Sequence, residues 1–129
     1  MSTDKRLSVL VVDDSVHIVE FISELLRRQG HSVVTARSGR EAEAILDAVA
    51  VDVLITDILM PDGDGIELLN RMRRAGKNIS RIVAISGGGR YVDSDNCLSI
   101  AAGAGAHAVL RKPFTDVELF AALQPAATA

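Results

Sequence analysis

Five polar side chains stand at the ends of apolar runs. Asp13 and Asp14 end Leu7–Val12, Asp57 ends Val51–Thr56, Ser86 ends Arg81–Ile85, and Lys112 follows Ala106–Leu110. Gathered in one place, the three carboxylates repel each other, and a hard divalent cation relieves the repulsion. Mg²⁺ suits such a set, because it takes a few carboxylate oxygens together with waters and a phosphate. A lysine adds a positive charge and a point contact for a phosphoryl oxygen. A serine hydroxyl can donate a hydrogen bond to another. A carboxylate nucleophile in these surroundings is suited to phosphoryl transfer, where catalysis is mostly positioning and charge stabilisation.

The elements that would gather these residues are legible as alternating runs. Leu7–Val12 reads as a strand buried on both faces. A helix follows over Ser15–Gln29, with Val19, Ile22 and Leu26 at helical spacing and Gly30 as its stop. His31–Ala36 is a second strand. Ser38 caps a helix to about Val49, with Glu41 placed as in a capping box. Val51–Thr56 is the third strand, and the segment from Pro61 to Gly65 has turn chemistry. Ile66–Ala75 is a helix ended by Gly76, and Arg81–Ile85 is the fourth strand. A helix over Ser94–Ala102, a strand over Ala106–Leu110 and a helix over Asp116–Leu123 complete the pattern.

Strand and helix thus alternate five times. This implies an α/β fold, a doubly wound parallel sheet with helices on both faces. Ligands of such sheets bind at the carboxyl ends of the strands, where the five polar residues stand. Topology alone would bring them together.

Composition excludes several other classes. The chain has 129 residues, a net charge of −3 and 48% hydrophobic residues. These values fit one globular domain and offer no basic footprint for nucleic acid or an anionic membrane. No apolar run approaches the ~20 residues of a membrane span. The acidic end of the first apolar run does not suit a signal peptide. Cys97 is the only cysteine, so no internal disulfide is expected. A cytoplasmic location is the default expectation.

The motifs resemble those of response-regulator receiver domains of two-component signalling. Asp13-Asp14 is similar to the family's acidic pair. Asp57-Ile58-Leu59-Met60-Pro61, followed by Asp62-Gly63-Asp64-Gly65, is similar to the motif around its phosphoacceptor. Ser86 matches its switch Ser/Thr, and Lys112-Pro113-Phe114 its Lys-Pro-Phe signature. The resemblance covers about residues 7–123. It implies a flavodoxin-like (βα)5 domain with strand order 2-1-3-4-5, occupying residues 1–129 as a stand-alone receiver with no output domain.

The resemblance also implies roles. Asp57 would accept a phosphoryl group from a phosphohistidine on a histidine kinase or histidine phosphotransfer protein. Asp14, Asp57 and the backbone carbonyl of Leu59 would ligate Mg²⁺, with Asp13 acting through water. Lys112 would hold a phosphoryl oxygen, and the Lys112–Pro113 bond would be cis. Ser86 would move toward the phosphoryl group and reshape the face made by the fourth helix, fifth strand and fifth helix, where a downstream protein would dock. Such a protein is not an enzyme in the ordinary sense; self-phosphorylation from small donors and autodephosphorylation are its only expected chemistry. Two departures concern output. Val109 stands where family members often carry Tyr or Phe, so the rotating-aromatic part of the switch is not carried over. The stretch from Ser86 to Lys112 is a few residues longer than usual, with the extra length placed in the Gly-rich loop of residues 87–96. Phosphorylation is expected to order that loop.

Plainer readings exist for each motif. Asp13-Asp14 can cap a helix, Ser86 can simply end a strand, and Lys112 can be a solvated turn residue. Their joint placement at strand ends favours the pocket. Gly103–Ala108 has the spacing of a dinucleotide fingerprint but follows a helix and opens a strand, so it reads as a turn. His17, His31 and His107 lack metal-ligand spacing and read as surface or turn residues. The alternative function is a small Mg²⁺-dependent phosphohydrolase with an aspartyl-phosphate intermediate. Such an enzyme generally needs a second carboxylate near its nucleophile, but Ile58 and Leu59 follow Asp57. A degenerate receiver that only binds partners is the third reading, and the intact acidic set argues against it.

Overall fold

The computed structural model describes residues 6–58, 65–77, 79–86, 103 and 105–124. In chain order they form β1 (Ser8–Val12), α1 (Val16–Arg28), β2 (Ser32–Ala36), α2 (Gly39–Ala48), β3 (Val53–Asp57), α3 (Gly65–Arg74), β4 (Arg81–Ser86), β5 (Ala108–Arg111) and α4 (Asp116–Leu123). The strands make one parallel sheet in the order β2-β1-β3-β4-β5. This is the expected topology. The helix expected over Ser94–Ala102 and the Gly-rich loop of residues 87–96 lie outside the described residues. So do Cys97 and Leu59.

Strand side chains alternate between faces, and the core divides accordingly. Val9 and Val11 of β1, Val53 and Ile55 of β3, Val83 and Ile85 of β4 and Leu110 of β5 pack with α1 and α4. Leu10, Val12 and Leu54 pack on the other side with α2 and α3. With both faces covered, the central strands are apolar along most of their length, which is why they read as continuous runs rather than alternating ones. Val19, Ile22 and Leu26 are the buried stripe of α1, as their spacing requires.

Helix starts follow local chemistry. Ser15, rather than either aspartate, is the N-cap of α1, and its hydroxyl accepts the Ile18 N–H. Ser38 accepts the Glu41 N–H at 3.1 Å. The Glu41 carboxylate returns to the N–H of Arg37, not to that of Ser38, so the expected capping box closes one residue early. The reciprocal box occurs at Thr115 and Glu118 instead. Gly30 and Gly76 end α1 and α3 with φ of +90° and +69°, a region open to glycine at no steric cost.

The amino end of the sheet is tied by side chains. Nδ1 of His31 accepts the Leu7 N–H at 3.1 Å, and Nδ1 of His107 accepts the Ile82 N–H at 2.8 Å. Both histidines are therefore more than turn residues, since each fastens the start of an outer strand to its inner neighbour. Arg81 Nε donates to the Ala122 carbonyl at 2.9 Å, fixing the end of α4 to the start of β4. No helix among the described residues is long and apolar enough to cross a membrane.

Candidate functional site

The face alternation that builds the core also builds the site. Val11, Ile55 and Leu110 share one face. Two residues beyond each, past the strand's last apolar position, stand Asp13, Asp57 and Lys112. Period two keeps them on that face, at the carboxyl edge of the sheet.

The side chains meet there. Lys112 Nζ lies 3.1 Å from Asp13 Oδ2 and 3.3 Å from Asp57 Oδ2. Asp13 is fully buried, Asp57 is nearly so, and Lys112 is partly exposed. Burial, the largest single influence, works against the Lys112 ammonium. The neighbouring carboxylates of Asp57 and Asp13 together outweigh it, and the Lys112 pKa is raised above the ordinary 10.5.

Asp13 has a second task. Its Oδ1 accepts the Ser15 N–H at 2.9 Å, which shapes the turn into α1. Oδ2 is buried beside the ammonium, and among the described residues no donor is aligned with it. Asp14 is exposed, yet one of its carboxylate oxygens and one each from Asp13 and Asp57 lie within 4.8 Å of one another. The Arg37 guanidinium donates to the Asp14 carbonyl at 3.4 Å across the rim.

This set suits a hard cation. An octahedral Mg²⁺ with oxygens at about 2.1 Å holds opposite ligands about 4.2 Å apart. The three carboxylates, with oxygens within 4.8 Å of one another, are near enough to face one such ion together. The buried Asp13 oxygen is paired with the ammonium but has no aligned donor among the described residues, so it could also accept from a water bound to a cation.

The loop carrying Lys112 is fastened at several points. The Lys112 N–H donates to the Ser86 carbonyl at 2.9 Å, and the Lys112–Pro113 peptide is cis. The Phe114 ring packs on Phe21 of α1, with centroids 6.0 Å apart. Ser86 itself is buried at the end of β4. The described bond from Ser86 to this cluster runs through its backbone. Val109 packs half-buried against Ile58 and Ala84.

Two further residues lie against Asp57: Thr56, which sequence reading did not single out, and Gly65, which it read as part of the turn and motif after Asp57. The Thr56 hydroxyl donates to the Asp57 carbonyl at 3.0 Å. Gly65, the first residue of α3, approaches the same peptide so closely that a Cβ would overlap the Asp57 carbonyl oxygen. A hydroxyl within an otherwise apolar buried run was the available signal for Thr56.

Residues 9–124 match the sequence family described as the response regulator receiver domain. The chain belongs to that family. This receiver domain is 33% identical over 116 residues to the transcriptional regulatory protein CpxR of Klebsiella pneumoniae subsp. pneumoniae, covering 90% of this chain and 47% of that protein. It is 33% identical over 118 residues to the transcriptional regulatory protein TrcR of Mycobacterium tuberculosis, covering 92% of this chain and 44% of that protein. The receiver thus spans about half the length of the curated relatives it matches. Among solved structures, it is similar to the chemotaxis response regulator CheY4 of Vibrio cholerae, with a TM-score of 0.82, 31% identity, and coverage of 93% of this chain and 98% of that one. FixJ-N gives a TM-score of 0.81 at 29% identity, covering 92% of this chain and 91% of that one. The receiver is therefore a module of two-component signalling, as its motifs imply.

Proposed function

We propose that Asp57 is the phosphoacceptor of this receiver and that phosphorylation sets its signalling state. The observation that carries this reading is the single ammonium of Lys112 shared between Asp13 and Asp57, with an Asp14 oxygen beside them. An Asp57 carboxylate oxygen attacks the phosphorus of a phosphohistidine on a histidine kinase or histidine phosphotransfer protein. The P–N bond breaks, and its electron pair leaves with the imidazole. Lys112, already against Asp57, takes up a phosphoryl oxygen and offsets its charge. Asp13, Asp14, Asp57 and the carbonyl of Leu59 would hold Mg²⁺, with Asp13 acting through water; the ion neutralises phosphoryl charge when bound. Ser86, joined to Lys112 through the backbone, is the residue whose hydroxyl answers the phosphoryl group.

The outcome is a population shift at the face that includes β5 and α4, where a downstream protein docks. Val109 has no ring and packs half-buried against Ile58 and Ala84, so the rotating-aromatic part of the switch has no counterpart at this position. A cytoplasmic location accords with this role. The reading is of a phosphoacceptor rather than a turnover enzyme, because Ile58 and Leu59 follow the nucleophile where a phosphohydrolase would need a second acid.

Incubation with acetyl phosphate and Mg²⁺ tests the reading. One phosphoryl group per chain should appear by intact mass, and none on Asp57→Asn. Labelling that survives this substitution, or steady turnover of the donor without a stoichiometric adduct, would overturn it.

A further inference from the structure

Thr56 is the one residue of β3 before Asp57 that is not apolar. It is fully buried, with Val12 of β1 on one side in register and Ala84 of β4 on the other. Valine has nearly the same shape and would suit such a site better by transfer energy alone, because a buried hydroxyl is costly unless hydrogen-bonded. The hydroxyl is in fact bonded, and its acceptor is the carbonyl of Asp57, at 3.0 Å. Gly65 closes on the same carbonyl, and a Cβ there would also stand 2.9 Å from the carbonyl carbon and 3.0 Å from Ile58 Cα. The Gly65 N–H donates to the Ile58 carbonyl at 2.9 Å, and the Ile58 N–H donates to the Ile85 carbonyl at 3.0 Å. The peptide leaving Asp57 is therefore held from the strand before it, the helix after it and the strand beside it.

We infer that Thr56 is a positioning residue for Asp57: its hydroxyl holds the Asp57 carbonyl against the start of α3 and thereby sets where the Asp57 carboxylate stands relative to Lys112 and Asp13. Strand alternation places the Thr56 side chain on the α2–α3 face and the Asp57 side chain on the other. Thr56 therefore cannot touch a phosphoryl group and acts only through the backbone. A small rotation of this peptide displaces a carboxylate whose partners lie 3.3 Å and less than 4.8 Å away. The inference rests on the reading of Asp57 as the phosphoacceptor.

The experiment compares the full chain with Thr56→Val, which removes the donor and keeps the shape, and Thr56→Ser, which keeps the donor. Rates of phosphorylation by acetyl phosphate are measured over a range of donor and Mg²⁺ concentrations. Thr56→Val should keep its fold and lower the saturated rate about three- to tenfold, since misplacement of a reacting group is felt in the rate itself. Half-saturation by the donor should change little. Mg²⁺ affinity, read by titration without donor, should weaken several-fold, and Thr56→Ser should restore both. A saturated rate and Mg²⁺ affinity in Thr56→Val equal to wild type overturn the inference. On the wild-type chain, NMR should find a slowly exchanging Thr56 hydroxyl proton coupled to the Asp57 carbonyl carbon; a freely exchanging one also overturns it. Failure of the wild type itself to label sinks the phosphoacceptor reading instead, and the Mg²⁺ and NMR measurements then still decide the role of Thr56.

Discussion

Lys112 Nζ lies 3.3 Å from Asp57 Oδ2, although 55 residues separate them in the chain. The same ammonium is 3.1 Å from Asp13 Oδ2. One cation thus stands between two buried carboxylates, where it limits their repulsion and lies beside the proposed phosphoacceptor.

Lys112→Met should slow phosphorylation by acetyl phosphate about 10²-fold, the usual scale for loss of one electrostatic contact to the reacting group. It also has a pH signature. The folded pKa of Lys112 is raised above 10.5, so its pairing contributes fully below 10.5 and is lost as the pH rises through the folded value. Wild type should lose more stability than Lys112→Met on the alkaline side of 10.5. Urea unfolding of both proteins across that range checks this, and parallel pH curves would remove the pairing from the account.

Mg²⁺ should stabilise the fold, because Asp13, Asp14 and Asp57 offer a site that the unfolded chain lacks. At ten times the dissociation constant the gain is about 1.4 kcal/mol. Unfolding with Mg²⁺ and with excess chelator measures it. Asp14→Asn and Asp57→Asn should each lose most of the gain. An equal gain in Asp14→Asn would place the ion elsewhere.

Gly65→Ala should destabilise the protein by about 1–3 kcal/mol, the range for forcing extra volume into a packed position. The new methyl group would meet backbone atoms of Asp57 and Ile58, which cannot rotate aside as a side chain can. Equilibrium unfolding gives the loss. Phosphorylation by acetyl phosphate should fall as well, because the displaced backbone carries the proposed phosphoacceptor.

His107→Ala should cost about 0.5–1.5 kcal/mol, since it removes the acceptor for the Ile82 N–H at the start of β4. His17, exposed on α1, serves as the contrast, and its replacement by Ala should stay within about 0.5 kcal/mol. Chemical denaturation of the two variants separates a structural histidine from a surface one. Equal effects would show that the His107 bond adds nothing net.

Much of this architecture was legible from local pattern. Short apolar runs between Gly-punctuated helices placed β1, β3 and β4 to within two residues, since burial on both faces leaves an unbroken apolar signature. The assignment of Asp57 was close: the run was read as ending before it, and β3 includes it. The capping box at Ser38 was read from spacing, but spacing does not say which N–H a carboxylate will reach, and Glu41 took that of Arg37. The histidines carried no visible signal, because their acceptor role depends on strands paired across 24 and 25 residues.

The sequence by itself determined the alternation of strand and helix, and with it the edge at which Asp13, Asp57, Ser86 and Lys112 would collect. Hydrophobic period and strand-end position are local properties, written within a few residues of each site. Only the tertiary structure decided that the Lys112 ammonium lies between Asp13 and Asp57, that Ser86 holds Lys112 through its carbonyl, and that Thr56 and Gly65 pin the peptide of Asp57. Apart from the bond between neighbours Thr56 and Asp57, these are contacts between distant elements. All depend on how far each strand extends, how the sheet twists and where each helix starts, and those are set by packing of the whole domain rather than by any one segment.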